Sequence, residues 1–282
     1  MKRIAIATES SANLPPEVAE QNGINVIPLS IVWQDEALAD GVDITPQQFY
    51  TRLRGDSYMP TTSASTPAQM LEAFERIAQD ADEIVAVLLP RELSSSMQAA
   101  EVARTSMSRV PVHIVDTRNA SMAQGFVALE AARAAHAGAT VDEVVARAQQ
   151  MAGRVQIMAV LETLEYLRRG GRIGSASALM GSMLQIKPIV SIPPGHGSVV
   201  GLARPHTWHT AVDRMLTLVD REVGGRPVHM AVSHGDREQD ATELAEELRR
   251  RFDVRELYTT WFTPVLGAHV GPVLSISFYT EA

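Results

Sequence analysis

The pattern of apolar and polar positions changes character once along the chain, near residue 155. Before that point, short apolar runs suited to buried strands alternate with stretches of helical period. Residues 3–8, 24–32, 84–89 and 112–115 read as strands. Helices are expected from Asn13-Leu14-Pro15-Pro16, from Asp43-Ile44-Thr45-Pro46 to Leu53, from Thr66-Pro67 to about Ala78, from Ser94 to Ser108, from Ser121 to Ala137, and from Val141 to about Arg154. Proline fits the first helical turn because its missing N–H has no partner there, and threonine caps that turn through its hydroxyl. Strand-helix alternation of this kind implies a parallel sheet covered on both faces, a three-layer α/β arrangement.

After residue 155 strands dominate. Candidates lie at 156–160, 189–192, 199–202, 228–232, 256–261 and 274–278, with only two long helices, Thr207 to Glu222 and Arg237 to Phe252. Pro193-Pro194-Gly195-His196-Gly197 reads as the turn of a hairpin. A mixed sheet with helices mainly on one face is the economical reading. The expected organisation is an N-terminal parallel-sheet α/β domain over 1–155 and a C-terminal mixed-sheet α/β domain over 156–282.

Composition narrows the function classes. The 282 residues suffice for two cores, and 45% apolar with 21% charged residues is globular throughout. A net charge of -8 with dispersed acids argues against nucleic acid as a partner. Cysteine is absent, which removes thiolate catalysis, disulfides and cysteine metal sites together. The apolar run after Met1-Lys2-Arg3 is too short for a signal peptide, and no window approaches the roughly 18 apolar residues of a membrane span, so a soluble, cytoplasmic protein is expected. Only Lys2 and Lys187 among the 25 basic residues are lysine, which singles out Lys187 as a position that resists the drift to arginine.

Candidate chemistry gathers where strands end. Ligands of open parallel sheets bind beyond the carboxyl ends of the strands. The loops there are rich in hydroxyls: Thr8-Glu9-Ser10-Ser11, Thr61 to Thr66, Ser94-Ser95-Ser96 and Asp116-Thr117-Arg118-Asn119. They suit an anion, and they equally suit ordinary helix capping. Among the eight histidines, His269 stands out between glycines in Gly267-Ala268-His269-Val270-Gly271-Pro272. His206 and His209 have metal-ligand spacing but lack a third ligand at a recognisable distance, and no metal is expected. His113, His229 and His234 fall in or beside strands and read as structural. Phosphate-binding P-loop, dinucleotide loop and Gly-x-Ser-x-Gly elbow are all missing.

The segment from Leu161 to Pro188 is the most distinctive. An amphipathic helix carrying Arg168 and Arg169 ends on Gly170-Gly171, the turn projects Arg172, and a small-residue helix leads to Ile186-Lys187-Pro188. Two readings stand: a recognition surface that shows Arg172 to another protein, or a capped helix whose arginines complement its dipole.

Taken in order, these segments resemble the DegV family, the fatty-acid-binding subunits of bacterial fatty acid kinase. The resemblance rests on Thr8-Glu9-Ser10, Asp40-Gly41-Val42-Asp43-Ile44, Pro60-Thr61-Thr62-Ser63, Leu93-Ser94 with Gln98, Val115-Asp116-Thr117, Leu164 to Ile173, Ile186-Lys187-Pro188 and His269-Val270-Gly271-Pro272. It implies that the first domain supplies carboxylate-binding loops and the second covers the acyl chain of one long-chain fatty acid. Thr62, Ser63, Ser94, Ser95 and His269 are the implied ligand residues, and Arg172 and Arg204 the implied docking residues. Arg172 is expected on an exposed turn outside the mouth.

The implied partner is a separate fatty acid kinase with a dihydroxyacetone-kinase-like domain, which makes an acyl phosphate for phospholipid synthesis. The chain itself would be a carrier without cofactor, in transient contact with membranes for lipid exchange. The family's Ser-Ser-Gly-Leu-Ser-Gly-Thr is replaced by Pro90-Arg91-Glu92-Leu93-Ser94-Ser95-Ser96, with both glycines lost, Ala64-Ser65 continues Pro-x-Thr-Ser, and Val273 follows Gly271-Pro272. These departures fall at the mouth and bear on lipid preference. The alternative is a serine esterase or thioesterase with Ser94 as nucleophile and His269 as base.

Overall fold

A computed structural model describes residues 2–180 and 186–281. The first half runs β1 (Ile4–Glu9), α1 (Pro16–Gln21), β2 (Ile24–Ile27), β3 (Ser30–Trp33), β4 (Glu36–Ala39), α2 (Pro46–Gly55), β5 (Thr61–Ser63), α3 (Pro67–Ile77), β6 (Glu83–Leu88), α4 (Ser96–Ser106), β7 (Val112–Asp116), α5 (Met122–His136) and α6 (Val141–Ala152). Strands β2-β1-β6-β7 form a parallel sheet. Side chains alternate across it: Ala7, Ile84, Ala86 and Leu88 pack with Met70 and Phe74 of α3 and Ala100 of α4, whereas Ile6, Val85 and Val87 face Phe126 and Val127 of α5. That is the expected three-layer arrangement. Thr45 with Gln48, Thr66 with Gln69 and Thr140 with Glu143 form capping boxes at α2, α3 and α6.

Two expectations need correction here. The run 24–32 is two strands in different sheets, because Pro28 offers no N–H to continue the ladder and the chain turns at Leu29, whose N–H goes to Ser10 Oγ at 3.2 Å. Strand β3 instead centres a small antiparallel sheet, β4-β3-β5. Thr61-Thr62-Ser63, expected as loop, is its third strand, with Thr62 opposite Ile31.

The second half runs β8 (Gln156–Leu161), α7 (Glu165–Arg169), β9 (Ile189–Ile192), β10 (Val200–Ala203), α8 (Trp208–Val223), β11 (Val228–Gly235), α9 (Glu238–Arg251), β12 (Val254–Trp261), α10 (Pro264–Val270) and β13 (Val273–Thr280). The sheet order is β10-β9-β8-β13-β11-β12, antiparallel except for β11 and β12. Helices α8 and α9 cover one face through Met215, Val219, Leu244 and Leu248. The other face, with Ile157, Ala159, Leu161, Val190 and Val273, joins the same apolar cluster as α5, so the two halves share a core besides the one each holds alone. The small-residue helix expected before Ile186 is a 3-10 turn over Gly174–Leu179, and the rest of that expectation lies outside the described residues.

Candidate functional site

Where the two halves share their core, a cavity of about 320 Å³ remains, within the roughly 300–1,000 Å³ range of small-molecule sites. It lies beyond the carboxyl ends of β2, β6 and β7, lined there by Leu29, Leu89, Ala120 and Ser121. Its opposite wall is the inner face of β8 and β9, from Ile157, Ala159, Leu161, Val190 and Ile192, with Phe262 and Val265 alongside. Ser121 holds φ 57° and ψ -152°, a strained backbone for a non-glycine residue, pinned by N–H donation to Ser11 O at 2.9 Å and by Asn13 Nδ2 donating to its hydroxyl at 3.0 Å.

Polar groups gather on the loops that border this apolar lining. Thr62 Oγ1 lies 2.7 Å from His269 Nε2, joining the small sheet of the first half to α10 of the second. Burial, and secondarily the Arg172 guanidinium, lower the His269 pKa to about 4, so the ring is neutral at physiological pH. Its Nδ1 is buried and has no hydrogen-bond partner among the described residues. Ser94 Oγ accepts the Ser96 N–H at 3.1 Å and lies 2.9 Å from Ser96 Oγ. Ser63 and Ser95 line the same cavity from more exposed positions. All five expected ligand residues therefore border one space.

Arg172 corrects the sequence reading. It does not project outward: its Nε donates to Leu93 O at 3.0 Å, another guanidinium N–H goes to Gly170 O, and the side chain lines the cavity with Ser94 and His269. Gly171, with φ 71°, supplies the positive φ expected of the glycine pair and turns the chain inward. Gly170 has a different constraint, because a Cβ there would sit 2.3 Å from His269 Nδ1. Arg168 and Arg169 are both spent on Glu165. Arg204, by contrast, is exposed just beyond β10 and does not line the cavity.

Helix α10 escaped the sequence reading, which left His269 in a glycine turn. The signal was present: Thr263-Pro264 repeats the Thr-Pro start that marks α2 and α3. Asp40, from the Asp-Gly-x-Asp-Ile stretch, anchors that helix, its buried carboxylate accepting the Val265 N–H at 3.4 Å. Burial raises the Asp40 pKa to about 6 against the hydrogen bonds from Ser10, Val265 and Thr263. Lys187 pairs with Glu162, which also takes Arg237 at 2.7 Å, and its backbone N–H holds Pro205 O at 2.7 Å. His113 and His229 pair with Glu83 and Glu256, and His234 packs on Trp261, all as structural residues. His209 pairs with Asp213, and among the described residues no group of three or more metal-ligating side chains occurs.

Comparison with known proteins agrees along the whole chain. The family model described as DegV family matches residues 3–281. A DegV domain-containing protein of Streptomyces coelicolor is 39% identical over 275 residues, covering 97% of this chain and 96% of its own length. Among solved structures, DegV of Bacillus subtilis, described as a fatty acid binding protein, superposes with a TM-score of 0.91 at 29% identity, covering both chains completely. A DegV family protein from Thermus thermophilus, described by its fatty acid binding, gives 0.90 at 27% identity over 99% of this chain and 100% of its own. The chain belongs to the DegV family.

Proposed function

We propose that this protein encloses one long-chain fatty acid, with the acyl chain in the cavity and the carboxylate at Thr62, Ser94 and His269, and presents it to a separate kinase that forms the acyl phosphate. The observation that carries this reading is an apolar cavity bordered by hydroxyls, a neutral imidazole and one guanidinium in a chain that superposes end to end on fatty-acid-binding proteins. Burying about 14 methylenes contributes on the order of 10 kcal/mol before ordering costs. The first half supplies Thr62 and Ser94 to the head group, and the second half supplies His269 and most of the wall along the acyl chain. Lipid exchange by transient membrane contact belongs to the same proposal; among the described residues no helix is long and apolar enough to cross a membrane.

The position of Arg172 changes the role proposed for it. A guanidinium at the mouth offsets the repulsion between the carboxylate and the incoming phosphoryl group and stabilises the charge on that group's oxygens. Docking then falls to exposed Arg204. The hydrolase alternative loses support, because His269 pairs with Thr62 and Ser94 pairs with Ser96, leaving no nucleophile-base contact.

With the partner kinase, Arg172→Ala is expected to keep its fatty acid and its kinase complex while acyl phosphate formation drops at least about a hundredfold. Arg204→Ala is expected to lose the complex and keep the lipid. Loss of the complex on Arg172→Ala returns that residue to docking. Native rates from both variants contradict the reading.

A further inference from the structure

A hydroxyl that binds a carboxylate must donate to it, and one hydrogen bond behind Ser94 decides whether it can. Ser94 Oγ already accepts the Ser96 N–H. If Ser96 Oγ also donates to Ser94, both Ser94 lone pairs are occupied and its own hydrogen is left for the cavity. If Ser94 donates to Ser96, the cavity meets a lone pair instead.

The direction is set further back. Ser96 opens α4 and is fully buried, and so is Glu9 at the end of β1. Glu9 Oε2 accepts the Leu89 N–H at 2.9 Å, and the Ser96 hydroxyl stands beside the carboxyl. Among the described residues Glu9 Oε1 has no hydrogen bond of normal length and angle, although it is enclosed. An ionised carboxylate in that position is short of donors, whereas a neutral acid needs one acceptor for its hydrogen. Burial pushes the Glu9 pKa upward, with the Leu89 N–H and Ser96 hydroxyl opposing. Among the described residues no cation acts on its ionisation. Neighbouring titratable groups are Asp40, bonded to the adjacent Ser10, and at the cavity His269, which bonds Thr62, and Arg172.

We propose that Glu9 is a neutral acid heading a donor chain, Glu9 to Ser96 to Ser94, that aims the Ser94 hydrogen into the cavity. Glu9 is then a positioning residue for anion binding, an inference that rests on the fatty acid reading. Ionised Glu9 draws the Ser96 hydrogen to itself, Ser96 draws that of Ser94, and the ligand loses its donor.

The test combines infrared spectroscopy with titration on the full chain. At neutral pH a protonated-carboxyl band is expected that Glu9→Gln removes and Ser96→Ala shifts. Hexadecanoate affinity, measured from about pH 7 to 9 where a carboxylate probe is ionised, is expected to follow that band. It stays constant while the band persists and falls by up to about tenfold per pH unit where the band is lost, the limit for one coupled proton. Ser96→Ala cuts the chain, so affinity no longer follows the band. Absence of the band, or affinity and band moving independently in the native chain, overturns the proposal. If the native chain takes no hexadecanoate, the fatty acid reading fails, while the band and its shift on Ser96→Ala still decide the Glu9 to Ser96 link.

Discussion

Two of the places where polar groups gather between the two halves differ in how those groups are paired. Along the seam of α5 with β11, β12 and β13, Arg133 holds Glu130 and Glu256, and Glu256 also takes His229 and Tyr258. His229 reaches Glu281 and stacks on Tyr279 at 4.5 Å. At the cavity, His269 Nδ1 is enclosed without a partner among the described residues, and Arg172 is bonded to carbonyls rather than to a carboxylate. Buried polar groups are normally paired, and of those left unpaired among the described residues, which include Ser233 Oγ and Ser277 Oγ on β11 and β13, His269 Nδ1 is the one that lines the apolar cavity. The ion pairs of the seam join the halves. On the proposed reading the mouth takes up the ligand.

That contrast is broken most severely by filling the cavity. Ala159→Trp is expected to lower hexadecanoate affinity at least about a hundredfold, while thermal unfolding shifts by no more than the about 1–3 kcal/mol of an overpacked core. Retained affinity places the ligand elsewhere.

The next effect comes from acid. His269 has a folded-state pKa lowered from 6.5 to about 4, so the stability it contributes is fully present above pH 6.5 and is lost as pH falls through about 4. The loss is about 3 kcal/mol. Asp40 works in the opposite direction: raised from 3.8 to about 6, its contribution is present below pH 3.8 and lost as pH rises through about 6. Denaturant melts of native and His269→Gln chains from pH 4 to 8 separate the two. An identical pH dependence in both chains contradicts a buried, neutral His269.

The smallest effect sharpens the comparison from the seam. Arg133→Met is expected to cost about 2 kcal/mol of stability, below the figure for a fully buried pair because about a third of the Arg133 side chain is exposed, and to leave lipid affinity unchanged. Weakened lipid binding with intact stability would reverse the roles of seam and mouth.

The parallel sheet, the mixed sheet and most helices were legible because their signals are local, β-branched runs, Thr-Pro starts and capping boxes, whereas the small β4-β3-β5 sheet was not. The strand break at Pro28 and the pairing of β5 depend on contacts with distant strands, which no local pattern reports. The same distinction holds at the site. That Thr62, Ser94 and His269 border one cavity was expected from motifs, although the one around Ser94 has lost both glycines. The inward turn of Arg172 was not, because an arginine after two glycines projects outward or inward according to what stands opposite, here the Leu93 carbonyl. Glu9 and Ser96 stood in the hydroxyl loops, but only their burial together gives them a shared chemistry.

The central claim is that the cavity holds one fatty acid by its carboxylate. Native mass spectrometry of the freshly purified chain, before and after organic extraction, measures this most directly. The account predicts one long-chain fatty acid per chain, removed by extraction and restored by added hexadecanoate, with weaker retention in Ser94→Ala and Thr62→Val. A chain that carries no lipid and takes up none, or one that turns over acyl esters through Ser94, contradicts it.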